Sequence, residues 1–85
     1  MINDEEVLSQ LQEVLDELNI ELKYGRGYFE GGLCRYRESR YIYLNRAQNI
    51  ENHISVILTE LRKMNLDNID LKPSVKALLT KRESN

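Results

Sequence analysis

The chain has 85 residues, of which 41% are hydrophobic and 31% charged. That is room for one small domain with a modest core, and it is too apolar for a disordered chain. A single cysteine excludes an intramolecular disulfide, a single histidine excludes histidine-rich metal sites, and no apolar run is long enough for a membrane-spanning helix.

The acidic opening Asn3-Asp4-Glu5-Glu6 is the reverse of a secretory signal, so a cytoplasmic location is expected. The net charge of −2 conceals an uneven distribution. Residues 1–22 carry seven acids and no base, residues 23–46 carry six bases against two acids, and residues 47–85 carry six bases and five acids. An acidic helix beside a basic sheet produces such a split, and so does a basic binding face.

Val7, Leu8, Leu11, Val14, Leu15 and Leu18 recur at three- and four-residue spacing, which predicts an amphipathic helix over about residues 4–18. Asn3 or Asp4 suits its N-cap, and Asn19 suits a left-handed residue at its end. The alternation in Ile20-Glu21-Leu22-Lys23-Tyr24 predicts a first strand. All four glycines (Gly25, Gly27, Gly31, Gly32) then punctuate a loop. A second strand, Leu33 to Arg37, turns through Glu38-Ser39-Arg40 into a third, Tyr41 to Asn45. Together these predict a three-stranded, mainly antiparallel meander covered by helices.

Ile50, Ile54, Ile57, Leu58, Leu61 and Met64 predict a helix over about 50–64, capped by Asn49. Pro73 suits the first turn of a short last helix with Val75, Leu78 and Leu79 on its buried side. Residues 81–85 read as a frayed polar tail. The expected fold is α+β, in the order α-β-β-β-α-α, with residues 1–85 forming one domain.

No metal site is expected, because Cys34 and His53 are the only cysteine and histidine and fall on different elements; Asp67-Asn68-Ile69-Asp70 lacks the length and the glycine of a calcium loop. A thiol nucleophile at Cys34 with His53 as base lacks an orienting third group, and mid-strand placement opposite Arg35 and Arg37 predicts a small buried thiol instead. His53 reads as a partly exposed surface residue. The glycine loop misses the dinucleotide fingerprint, and no helix follows it. No catalytic residue and no cofactor is therefore expected.

The candidate contact surface is the basic, aromatic middle of the chain. Arg26, Tyr28 and Phe29 occupy the glycine loop, and Arg35, Arg37, Arg40, Tyr41 and Tyr43 lie on the hairpin. Alternation puts Tyr41 and Tyr43 on one face; a register that brought Arg35 and Arg37 to the same side would build a stacking and phosphate surface for single-stranded nucleic acid. The start Arg26-Gly27-Tyr28 echoes an RNA-recognition signature that Phe29 and Glu30 then break. Arginine and tyrosine are equally the residues that protein interfaces favour.

Asn19-Ile20-Glu21-Leu22, the glycine loop, Tyr41-Ile42-Tyr43-Leu44-Asn45 and Ile57-Leu58-Thr59-Glu60-Leu61 together resemble the core of ImmA/IrrE-type minimal zinc metallopeptidases over roughly residues 10–64. That family's His-Glu-x-x-His motif falls on Thr59-Glu60-Leu61-Arg62-Lys63, where Glu60 matches while Thr59 and Lys63 replace both zinc ligands. The resemblance implies the scaffold without the metal or the peptidase mechanism. The stretch Gly31-Gly32-Leu33-Cys34-Arg35 also resembles small bacterial proteins with a Gly-Gly-x-Cys-Arg segment. The resulting expectation is a non-enzymatic, cytosolic protein-interaction module, open to self-association as a homo-oligomer. The alternative is single-stranded nucleic-acid binding through the Arg/Tyr hairpin; no membrane partner is expected.

Overall fold

The structure, a computed structural model, describes residues 3–27 and 31–80. Helix α1 runs from Asp4 to Glu17, with the Asn3 side chain accepting the Glu6 N–H at 2.9 Å. Asp4, Glu5 and Glu6 then lie in the first turn, where the helix dipole favours negative charge. Asn19 ends the helix in the left-handed conformation (φ 59°), its N–H donating to the Asp16 carbonyl at 3.1 Å. Helix α2 spans Ile50–Arg62 behind an Asn49 cap. Helix α3 spans Pro73–Thr80, its proline at the first position as expected.

Three strands, β1 (Ile20–Gly25), β2 (Gly32–Tyr36) and β3 (Ser39–Asn45), complete an α+β fold in the predicted element order. The sheet corrects the meander. Its order is β1-β3-β2, with β2 antiparallel to β3 but β1 parallel to it. The third strand takes the centre because it brings Ile42 and Leu44, both fully buried, whereas β1 and β2 carry the charged residues that edges tolerate. The chain passes from one edge to the other across the end of β3. Asn45, itself buried, holds that crossing: its Nδ2 donates to the Gly27 carbonyl at 2.9 Å, its Oδ1 accepts the Ala47 N–H, and the Arg46 N–H donates to Gly25.

The hairpin connection is also shorter than the three residues expected, because β3 begins at Ser39. Only Arg37 and Glu38 join the strands, with Arg37 at φ 58°, a conformation in which glycine is at ease and arginine is not. Arg37→Gly is therefore expected to stabilise the fold by about 0.5–1 kcal/mol, raising the melting midpoint by a few degrees. Thermal unfolding followed by circular dichroism checks this; a lowered midpoint contradicts it.

The register sorts the strand residues by face. Ile20 pairs with Arg40, Leu22 with Ile42 and Tyr24 with Leu44, while Ile42 and Arg40 stand opposite Leu33 and Arg35 on β2. That face packs against the helices, with Leu11 and Leu15 of α1, Ile57 and Leu61 of α2 and Val75 of α3 buried against it in one core. Arg40 belongs to this face without being wasted there, since its guanidinium donates to the Leu18 carbonyl at the end of α1. Arg62 does the same for α3, donating to the carbonyls of Leu78 at 2.8 Å and Leu79 at 3.1 Å.

Candidate functional site

With the helices on one side, the opposite face of the sheet is left open. It carries Glu21 and Lys23 from β1, Tyr41 and Tyr43 from β3, and Cys34 and Tyr36 from β2. Tyr41 and Tyr43 share this face, as their alternation predicts, with ring centroids 6.4 Å apart. The Lys23 ammonium sits 4.5 Å from the centre of the Tyr41 ring, and the Arg37 guanidinium 5.4 Å from that of Tyr36. Each cation rests on the electron-rich face of an aromatic ring, which orders its stem and leaves its charge facing solvent. Tyr36 is 64% exposed, the largest value among the described exposed large hydrophobic residues.

The register divides the predicted arginines. Arg35 stands opposite Arg40, on the helix side, so it does not join Tyr41 and Tyr43. Arg37 escapes the strand's alternation through its left-handed turn and reaches the open face against Tyr36. Arg40 is engaged with α1. Arg26 lies with Arg46 and Ala47 around a shallow depression at the end of the sheet. Tyr28 and Phe29 fall outside the described residues. Lys23 and Tyr36 complete the surface; Tyr36 belongs to the aromatic cluster of the middle segment, but neither is among the contact residues predicted from sequence. For Lys23 the signal was there, since it alternates with Leu22 and Tyr24; Tyr36 lies two residues from Cys34 and so on the same face of its strand.

Cys34 corrects a second expectation, for it is exposed rather than buried. Its partner Tyr41 puts it on the uncovered face, and its strand is an edge. His53 is half-buried on the helix side, where its Nε2–H donates to the Asn45 carbonyl at 2.7 Å and its ring meets Tyr24 edge-on at 5.6 Å. The fold thus builds no thiol–imidazole pair from these two residues. Among the described residues no group of three histidine, cysteine or acidic side chains converges as metal ligands would. A groove of about 320 Å³ between α1 and the start of α3 is lined by Glu13, Glu17 and Asp70, with Lys72 held 3.3 Å from Glu13; it contains no histidine or cysteine.

At the positions aligned with the metallopeptidase motif, the Thr59 hydroxyl donates to the Ser55 carbonyl at 2.8 Å, and Glu60 lies 3.5 Å from the Lys63 ammonium. Glu60 also borders Gly32 at the start of β2, so its carboxylate lies beside the strand rather than in a cleft. Among the described residues no helix is long and apolar enough to cross a membrane. No family model, no curated protein and no solved structure matches the chain.

Proposed function

We propose that the chain is a non-enzymatic protein-interaction module that docks its partner on the open face of the sheet. One observation carries this reading: Tyr36, Tyr41 and Tyr43 stand on the one sheet face that the helices leave uncovered, with Lys23 and Arg37 ordered on two of their rings. Tyrosines of this kind bring large contact area at little entropic cost, and the stacked cations add directional charge at the rim. In this reading Glu60 and α2 belong to a metallopeptidase-like scaffold that works without metal, and the module acts in the cytosol.

Single-stranded nucleic acid is the second reading, favoured by the same stacked cations and rings. Arg35 works against it, because the register turns that charge away.

Affinity capture from a cell lysate, with and without nuclease, separates the two. A bound protein is expected to survive nuclease and raised salt, to be lost with Tyr41→Ser/Tyr43→Ser, and to persist with Arg35→Ser. Capture that disappears with nuclease and falls steeply with salt makes the surface a nucleic-acid binder instead. Circular dichroism of each variant confirms that the fold is kept.

A further inference from the structure

The edge of the sheet carries information that its face does not. Strand β2 has one neighbour, β3, and among the described residues nothing pairs with its other side. Four of its five residues are exposed and the first is half-buried. Of the three exposed large hydrophobic residues among those described, two lie on this short strand: Leu33 at 39% and Tyr36 at 64%. Edge strands are ordinarily blunted by charge, proline or a bulge; β2 from Leu33 to Tyr36 has one charge, Arg35, and neither lysine, proline nor bulge.

The hairpin determines which backbone groups point outward. In a two-residue connection the closing pair, here Tyr36 and Ser39, exchanges hydrogen bonds, and bonded pairs then alternate along the ladder. Cys34 and Tyr36 therefore direct their N–H and C=O toward β3, while Leu33 and Arg35 direct theirs away from it. The strand offers two outward residues, one on each side of Cys34.

We propose that this edge pairs antiparallel with β2 of a second copy, about a two-fold axis at Cys34. In that register Leu33 faces Arg35 of the second copy, so the outward groups of both strands are satisfied together. The side chains agree with it. The arginine stem lies along the exposed leucine, and each Tyr36 faces Gly32 of the other strand, where the missing side chain leaves the ring a seat. Centring the pair on Arg35 would oppose two like charges. Centring it on Leu33 would match Arg35 with the loop residue Gly31. A slip of one residue would pair outward groups with inward ones.

The two sheets then join into one, with both sets of helices on the same side and the two tyrosine faces continuous on the other. The contact is isologous and closes on itself. It rests on the backbone of the edge and shares only Tyr36 with the docking surface proposed above, so loss of Tyr41 and Tyr43 tests that surface without testing the dimer.

The pairing places the two Cys34 residues directly opposite on the open face, in a non-hydrogen-bonded pair, where Cα atoms are about 4.5 Å apart and within disulfide reach. This provides a probe. Diamide is expected to join two copies through Cys34, the two thiols giving up two protons and two electrons as the reagent is reduced to its hydrazine. Sedimentation of the full chain over a dilution series is expected to show twice the 10.0 kDa mass at the concentrated end. Leu33→Pro, which removes one outward N–H and no bond to β3, is expected to leave only the monomer and to abolish the diamide product. Tyr41→Ser/Tyr43→Ser should remain dimeric.

Should Leu33→Pro fail to fold, amide exchange of the unaltered chain decides the matter. The Leu33 and Arg35 amides should slow by about tenfold or more with rising concentration, while those of Cys34 and Tyr36 stay protected throughout. A chain that stays monomeric at every concentration overturns the proposal. So does a dimer in which the Leu33 and Arg35 amides exchange freely.

Discussion

Gly31→Ala is expected to cost about 3 kcal/mol or more and to leave much of the protein unfolded at physiological temperature. Gly31 holds φ at +96°, and a Cβ built there would stand 2.5 Å from the Tyr43 carbonyl oxygen. The obstacle is backbone of the central strand, which cannot turn aside as a side-chain tip would. Gly31 is also held from its other side, because Gly32 next to it is paired with Tyr43 in the sheet. A chain of this length has only about 4–13 kcal/mol of stability in all. Gly32→Ala supplies the comparison. Its φ is +146°, but the nearest atom to its Cβ is Glu60 Oε2 at 3.7 Å, so it bears conformational strain without a clash. Urea titration should show the Gly32 variant losing about 1 kcal/mol. Equal losses at the two positions would refute the steric account.

Ile42→Ala is expected to cost about 2–5 kcal/mol, through lost transfer energy and the cavity left behind. Ile42 is fully buried at the centre of the sheet, with Leu22 on one side and Leu33 on the other. Helices cover it from above, and the neighbouring strands hold it laterally, so the site has little room to collapse. Leu33→Ala lies in the same row but at the 39% exposed edge, and should cost less than about 1 kcal/mol. The midpoint in urea should fall for Ile42→Ala with the slope unchanged. A loss at Leu33 as large as that at Ile42 would mean that the core extends across the edge strand.

The helices were legible because their boundaries are written in local chemistry. Asn3, Asn19, Asn49 and Pro73 each satisfy or excuse backbone groups within a few residues, and each stands where that reasoning puts it. Strand order is not local. Alternation shows that Tyr41 and Tyr43 share a face, but it cannot show which strand lies beside them or in which direction. That depended on Ile42 and Leu44 making β3 the strand most worth enclosing, and on a glycine loop able to cross its end. Arg37 was misplaced for a similar reason: a left-handed turn residue leaves the period-two pattern, so its charge joined Tyr36 rather than Arg35. Cys34 read as buried because apolar strand residues usually face the core, and only the pairing with Tyr41 reveals that its side is uncovered.

The parallel pairing of β1 with β3 also orders events during synthesis. Strand β1 leaves the ribosome about twenty residues before the strand it must join, since Ile20 lines up with Arg40. The β2–β3 hairpin closes over two residues and needs no distant partner, so it can form as soon as it emerges. Until then α1 and β1 have no sheet to complete, and the Leu18 carbonyl has no Arg40 guanidinium to donate to it. Assembly therefore waits on the middle of the chain. The first residues made are among the last to find their places, and the nascent chain spends that interval with its acidic helix waiting on a sheet that does not yet exist.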